Sequence, residues 1–240
     1  MPPLSPATGD VHVWRVDLDR SAPALLARGA ALSPQEQARV DRFHFMVDRR
    51  RWVAAHLALR LILAKYTDTA PERLCFAHGP QGKPTIAGAG GDWHFNLSHS
   101  RALALIAVTR LGPIGVDVEW RRPETPILEI ARRVCAPGEL ATLCALPPAQ
   151  RVEAFYTCWT RKEALIKAEG SGMMAPLHRF EVSLDPDHPP RVLQVHGDRE
   201  AAAGWQVRDL HPGPGCAGAL AVHATGCTVT LLEWEGAREA

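Results

Sequence analysis

Helix-forming sequence followed by short strand-like segments occurs twice along this chain, and that order constrains the fold more than any other feature. The first long helix is predicted at VDRRRWVAAHLALRLILAKY, where apolar residues recur near helical spacing. The second is predicted at VEAFYTCWTRKEALIKAEG, which Gly170 ends. Because each helical part precedes a run of strands, the two parts share one plan. We predict the boundary between them near Gly112 to Gly115.

The strands of the first part are predicted from alternation and from turn signals. VHVWRVDL alternates as a half-buried strand does, and Ser33, Pro34 and Glu36 form the capping box that begins the next helix. LCFAHGPQGKPTIAG predicts a hairpin, because a Gly/Pro turn separates two short strand-like runs. We expect the three segments that follow to form a small antiparallel sheet packed on the first long helix: WHFNLSHS, ALALIAVTR and GVDVEW.

The composition is that of an ordinary globular protein with almost no net charge. The 240 residues carry 27 basic and 26 acidic side chains, a formal net charge of +1, which gives no general attraction to nucleic acid or to an anionic membrane. The start lacks a charged n-region, and the longest apolar runs are shorter than the ~20 residues that span a bilayer. The six cysteines contain no CxxC pair, which favours reduced, buried thiols over a zinc site. These features predict a cytoplasmic protein.

The segment GVDVEW places two carboxylates on one face of a predicted strand. Because successive side chains alternate, Asp117 and Glu119 point away from Val116 and Val118. A solvated strand edge is one interpretation. A divalent cation is the other, since Mg²⁺ takes oxygen ligands and is commonly held by one or two carboxylates together with waters and substrate phosphates. A third acid would favour the metal.

The second long helix supplies a candidate for that acid. Trp159, Glu163 and Lys167 follow one another at i, i+4 spacing and line one stripe of the helix. A surface Glu–Lys pair worth about 0.3–0.5 kcal/mol would explain two of these residues. An inward-facing Trp159 instead draws the stripe toward the interior, where a partly buried acid needs a cation.

Basic residues before the acidic strand are candidates for contacts with phosphate. Arg51 ends a run of three arginines at the start of the first long helix, where the macrodipole is already positive. A bound phosphate would compensate these charges, as would solvent around three exposed side chains. Lys83 lies in GPQGKP, which is not a Walker A loop because its glycine spacing is too short and Pro84 replaces the Ser/Thr. His99, at a strand end, is by itself an ordinary surface histidine.

Taken in order, these segments closely resemble the motifs of one enzyme family. The segments FNLSHS, GVDVEW and WTRKEALIKAEG, preceded by RFHFMVDRRRWVAAHLALR and GKP, are similar to those of 4'-phosphopantetheinyl transferases of the larger, surfactin-synthetase-activating type. The resemblance runs from about Leu32 to Pro176. It implies an α+β fold with a pseudo-twofold repeat of two similar halves, residues 1–112 and 113–240, and an active site in the cleft between them.

The resemblance also implies an activity and a set of site residues. Such an enzyme transfers the 4'-phosphopantetheine arm of coenzyme A to a serine of an apo acyl or peptidyl carrier protein and leaves adenosine 3',5'-bisphosphate. Asp117, Glu119 and Glu163 would hold Mg²⁺, and Lys167 would stabilise the departing phosphate. Glu163, a metal-bound water or Glu139 would take the serine proton. The residues implied to contact coenzyme A are Arg51, Trp52, Lys83, Ser98, His99, Lys162 and Lys167.

Two other functions fit parts of the pattern. An acidic strand with a distant glutamate also suits a Mg²⁺-dependent phosphohydrolase or nuclease, although that function leaves SHS and GKP unexplained. A coenzyme A-binding module without catalysis would be expected to lack at least one of four residues that are present here: Asp117, Glu119, Glu163 and Lys167. We expect a monomer, because one chain supplies both halves. The expected partner is a carrier protein of fatty acid or secondary metabolite biosynthesis, with no nucleic acid or membrane involved.

Overall fold

Two sheets meet at the centre of this α+β molecule, as seen in a computed structural model that describes residues 7, 9–28, 31–88, 91–172, 174–184 and 188–236. Among the helices of these residues, none is both long and apolar enough to cross a bilayer. The α-helices are α1 (Leu18–Leu26), α2 (Pro34–Val40), α3 (Met46–Thr67), α4 (Ile127–Val134), α5 (Pro137–Ala145) and α6 (Pro148–Glu169).

The strands form two main sheets and two short ribbons. The first sheet has the order β11-β1-β5-β4, the second β6-β10-β9, and the ribbons pair β2 with β3 and β7 with β8. The strands are β1 (Asp10–Asp17), β2 (Phe76–His78), β3 (Pro84–Ile86), β4 (His94–Ser100), β5 (Leu103–Thr109), β6 (Ile114–Trp120), β7 (Glu181–Val182), β8 (Val192–Gln194), β9 (Trp205–Leu210), β10 (Cys216–His223) and β11 (Thr228–Glu233).

Helix α3 forms the centre of the first hydrophobic core, as its apolar pattern predicts. Leu57, Ala58 and Ile62 are fully buried against the face of the first sheet that carries Ile106 and Val108. The predicted capping box is present at the start of α2, where Ser33 and Glu36 satisfy each other's backbone N–H groups. The GPQGKP segment forms the predicted hairpin between β2 and β3.

The prediction that GVDVEW joins the sheet of the first half is wrong. Strand β6 instead pairs antiparallel with β10, so that Asp117 lies opposite Ala219 in the second sheet. In its place β11 enters the first sheet and pairs with β1 in parallel. The division of the chain between residues 112 and 113 remains a prediction. Strand β11, which follows that boundary, pairs with a strand of the first half.

Side chains of β4 join the two sheets where their edge strands meet. Asn96, Ser98 and Ser100 lie on one face of β4, and each accepts a hydrogen bond from a backbone N–H of β6. The donors are Val116 at 2.9 Å, Val118 at 3.4 Å and Trp120 at 3.1 Å. These N–H groups would otherwise be unpaired on a buried edge, so the polar side chains of FNLSHS replace a missing strand.

Helix α6 approaches the backbone of β6 closely enough to require a glycine. A Cβ at Gly115 would lie 2.0 Å from the carbonyl oxygen of Ala164 and 2.5 Å from the amide nitrogen of Ala168. Because only glycine leaves room for this contact, Gly115 sets the distance between the acidic strand and the helix that carries Glu163 and Lys167.

Candidate active site

Asp117 lies at the junction of the two sheets with one of its oxygens paired and the other free. Its Oδ1 accepts hydrogen bonds from Ser98 Oγ at 2.8 Å and from Lys167 Nζ at 2.6 Å. Its Oδ2 is buried and has no hydrogen-bond partner among the described residues. Asp117 is only 3% exposed, so bulk solvent has little access to this oxygen.

Glu119 lies two residues further along β6 on the same face. It accepts a hydrogen bond from Ser100 Oγ at 3.1 Å, and it is only half-buried. Burial and then the neighbouring Asp117 carboxylate raise the pKa of Glu119 above its ordinary value. The chain therefore holds two acids together without enough positive charge to balance them.

Helix α6 brings a third acid and a base to these carboxylates. Burial and then Asp117 raise the pKa of Glu163, whereas Lys167 acts to lower it. Lys167 is one turn further on, and its ammonium group also lies 3.4 Å from the carbonyl oxygen of Val116. The predicted stripe of α6 thus faces the predicted face of β6.

The three carboxylates meet the chemical requirements of a hard divalent cation. The buried Oδ2 of Asp117 has no hydrogen-bond partner in the part of the chain that the structure describes, and Glu119 and Glu163 have raised pKa values that a nearby cation would lower again. Oxygen donors of this kind are the ligands that Mg²⁺ takes in proteins. The residues present therefore fit the metal.

His99 and Ser98 border the same site from β4. Loss of solvent around the imidazole and then the Lys167 ammonium lower the pKa of His99. Asp48, at the start of α3, acts to raise it. His99 is exposed, whereas Ser98 is buried and links Lys167 Nζ, at 2.9 Å, to Asp117. The FNLSHS segment thus contacts both the acidic strand β6 and the Lys167 side chain of α6.

Two predicted phosphate contacts are paired within the protein. Arg51 makes two hydrogen bonds to Asp19, from Nε at 2.9 Å and from Nη2 at 2.7 Å, in an exposed pair. Lys83 Nζ donates to the carbonyl oxygens of Ile114 at 3.1 Å and Ala168 at 2.5 Å. Burial lowers the pKa of Lys83 to about 8. Lys83 thus ties the β2–β3 hairpin to the end of α6.

Glu139 and Lys162 form a buried ion pair away from the three carboxylates. Each side chain is 1% exposed, and Lys162 also donates to the carbonyl oxygen of Val134 at 2.9 Å. The Glu139 oxygens accept the backbone N–H groups of Ala136 and Val182, at 2.7 and 2.8 Å. The structure therefore does not bring either residue to the site, although both were predicted there.

Cys135, Glu139 and Cys158 also offer ligand atoms within 4.8 Å of one another, a closer grouping than the three carboxylates make. The Lys162 ammonium already forms an ion pair with Glu139 there. A cation would have to displace this ammonium, so the buried cluster is less suited to a metal than the three carboxylates are.

The sequence pattern did not identify a cavity beside α3. It measures about 690 Å³, and Trp52 stacks on His56 in its wall with ring centroids 3.6 Å apart. Arg39 lies over the Trp52 ring at 5.7 Å. Trp52 is thus both core and cavity lining. Arg39 lies ten residues before the arginine run, and only helix packing brings it to the cavity.

A second cavity adjoins Glu119. It measures about 300 Å³ and is walled by aromatic rings of β6 and α6, with the polar Tyr156 hydroxyl at its edge. Its lining residues include Trp120, Phe155 and Trp159. The predicted inward direction of Trp159 is consistent with this wall.

Comparisons with known proteins match both halves of the chain to one family. Residues 19–110 match the 4'-phosphopantetheinyl transferase N-terminal family, and residues 113–222 match the 4'-phosphopantetheinyl transferase superfamily. The chain is 37% identical to the 4'-phosphopantetheinyl transferase HetI of Nostoc sp. over 227 residues, which cover 94% of this chain and 92% of that protein. The chain belongs to the 4'-phosphopantetheinyl transferase superfamily.

Two further relatives of the transferase come from bacilli. The 4'-phosphopantetheinyl transferase psf-1 of Bacillus pumilus is 34% identical over 182 residues, which cover 75% of this chain and 75% of that protein. The 4'-phosphopantetheinyl transferase Sfp of Bacillus subtilis is 32% identical over 65% of this chain and 68% of its own. The predicted family, the two-part α+β fold and the phosphopantetheinyl transferase activity are confirmed. The roles of the individual site residues stay predictions.

Proposed function

We propose that this transferase moves the 4'-phosphopantetheine arm of coenzyme A to a serine of an apo acyl or peptidyl carrier protein, with Mg²⁺ held by Asp117, Glu119 and Glu163. The observation that carries the proposal is the buried Asp117 oxygen that lacks a partner, at the junction of the two segments that match the family. When bound, Mg²⁺ would neutralise negative charge on the pyrophosphate as its P–O bond breaks.

The residues of the chain have complementary tasks in this reaction. The serine oxygen forms a bond to the phosphorus next to pantetheine, and adenosine 3',5'-bisphosphate leaves with the electrons of the broken bond. Lys167 is 29% exposed, so its ammonium can turn from Asp117 toward the leaving phosphate and stabilise its charge. Glu163 takes the serine proton, because its carboxylate lies beside Asp117 and Lys167 where the serine would approach the phosphate.

The binding of coenzyme A is assigned to residues around this centre. His99 and Ser98 border the three carboxylates, and Arg51 would exchange the exposed Asp19 for a phosphate. Trp52 offers an aromatic wall in the 690 Å³ cavity for the adenine. Lys83 supports the end of α6, and Lys162 supports its middle through Glu139.

The test combines the purified protein with coenzyme A, MgCl₂ and a panel of apo acyl and peptidyl carriers. We expect mass spectrometry to show one added phosphopantetheine on at least one carrier. Asp117→Asn should abolish the addition, and Glu129→Gln, which changes an exposed acid of α4, should leave it intact. A metal-free arm with chelator should also give no addition.

Other outcomes would contradict this function. If no carrier is modified while coenzyme A or a nucleotide is hydrolysed, the phosphohydrolase alternative would be supported. Persistent transfer by Asp117→Asn at a near-normal rate would remove the metal assignment. We also propose that the enzyme is cytoplasmic and monomeric. A sedimentation measurement of its mass would test the oligomeric state.

A further inference from the structure

Three consecutive large apolar side chains are exposed where α3 begins. Phe45 is 63% exposed, Met46 72% and Val47 50%. The other large apolar side chains exposed in the described residues are scattered over the molecule: Leu26, Met174, Leu193 and Leu231. Single exposed apolar residues need no explanation, but a contiguous group marks a contact surface. We call residues 45–47 the apolar patch.

The apolar patch lies within a basic stretch of a nearly neutral chain. Residues 39–51 carry five arginines and two aspartates, although the whole chain has a formal net charge of +1. Arg42 and Arg50 are exposed on either side of the patch, and Arg49 makes only a 3.4 Å exposed pair with Asp41. Five arginines minus two aspartates leave a net charge of +3 on residues 39–51, so the patch has a positive rim.

The residue that follows the patch acts on the residues that border the candidate active site. Asp48, next to Val47, acts electrostatically on both Arg51 and His99. Lys167 acts on the same His99 and bonds to Asp117. Asp48 and Lys167 therefore both lie near His99, which places the start of α3 on the same side of the molecule as the candidate site.

We propose that the apolar patch and its arginines dock the carrier protein, through a carrier surface that presents apolar side chains ringed by carboxylates. This inference rests on the proposed function, in which the nucleophilic serine belongs to another protein and must be delivered to the cleft. A small apolar contact with a charged rim suits a substrate protein that binds, reacts and leaves. The arginines steer the carrier on approach and orient it.

Charge argues against a second copy of this chain as the occupant. A twofold contact through residues 45–47 would place the same arginine-rich rim of both copies face to face. Like charges in such a contact repel each other and weaken it. An acidic partner removes that repulsion, so the docking surface selects for a carrier of opposite charge.

The test is a steady-state assay with the double variant Phe45→Ser/Met46→Ser and a carrier that the wild-type protein modifies. We expect the KM for the carrier to rise about tenfold, as for the loss of exposed anchors at an interface. The KM for coenzyme A and the kcat should stay within about twofold of the wild type. Serine at position 45 is a favourable helix N-cap, so α3 should remain folded.

A matched control separates docking from a general surface effect. Leu231→Ser changes a 46% exposed apolar side chain on β11 and should leave the KM for the carrier unchanged. An unchanged carrier KM in the double variant, with active wild-type enzyme, would overturn the docking proposal alone. The docking proposal would also be overturned if only the KM for coenzyme A rose in the double variant, or if the double variant were a monomer and the wild type a dimer. An inactive wild type would instead overturn the proposed function.

Discussion

Two lysines of α6, Lys162 and Lys167, illustrate opposite uses of the same residue type. Lys162 and its partner Glu139 are 1% exposed, and every contact around them is made within the chain. Lys167 is 29% exposed and binds an aspartate that still has one oxygen free. The first pair is complete and holds α5 to α6, whereas the second is open to a ligand.

Replacement of Glu139 tests this distinction at the residue scale. Glu139→Gln leaves the Lys162 ammonium buried without a carboxylate, and breaking such a pair typically costs about 3–5 kcal/mol. We expect urea denaturation to show a lower free energy of unfolding, with kcat retained at temperatures where the variant is folded. A stable variant with lost kcat would instead make Glu139 the general base.

His56 gives the pH dependence of stability at the same scale. Burial lowers the pKa of His56 from 6.5 to about 4. Between these values the unfolded chain binds a proton that the folded chain does not, so the free energy of unfolding falls as the pH drops. We expect the wild type to lose more stability between pH 7 and pH 4.5 than His56→Phe, which retains a ring against Trp52.

Chemical denaturation of both proteins at a series of pH values is the measurement for His56. Equal losses in the wild type and in His56→Phe would show that this histidine titrates normally in the folded state.

At the scale of elements, the contact of α6 with β6 fixes the geometry of the candidate site. A side chain at Gly115 would collide with the α6 backbone and push Glu163 and Lys167 away from Asp117. We expect Gly115→Ala to cost about 1–3 kcal/mol of stability, as overpacking does. Because misplacement of reacting groups also slows catalysis, kcat should fall more than tenfold.

Gly226→Ala is the control for Gly115, since nothing lies within 4 Å of the Cβ it would add. Thermal unfolding and steady-state kinetics of both variants make the comparison. Full activity of Gly115→Ala would show that the helix can shift without disturbing the site.

The sequence predicted the elements with strong local patterns and missed the contacts between distant ones. The periods of α3 and α6, the capping box at Ser33 and the β2–β3 turn are local, so they could be identified directly. The partner of β6 is β10, about a hundred residues further along, and no local pattern encodes that pairing. The hydrogen bonds of Lys83 were not predicted for the same reason, because its partners belong to β6 and α6.

The candidate site was predicted in outline because its acids lie on regular elements. Strand alternation put Asp117 and Glu119 on one face, and helix spacing put Glu163 and Lys167 on one stripe. The hydrogen bonds from β6 to the side chains of β4 could not be predicted, since a serine that replaces a strand has the same sequence pattern as any serine in a strand.

At the scale of the whole molecule, the two halves are joined too closely to unfold separately. Strand β11 completes the first sheet, and Trp234 after it is buried against Trp14 at 6.3 Å between ring centroids. The β4–β6 junction ties the sheets a second time. We expect calorimetry to show one transition with equal calorimetric and van't Hoff enthalpies, and two resolved transitions would contradict this coupling.

The parallel pairing of β1 with β11 also has a consequence for synthesis on the ribosome. Chains are made from the N-terminus at about 5–20 residues per second, and early segments normally fold first. Here β1 must wait for Thr228–Glu233 before its outer edge is covered. Until the last strand emerges, the nascent first half carries an open sheet edge that chaperones or neighbouring nascent chains can bind.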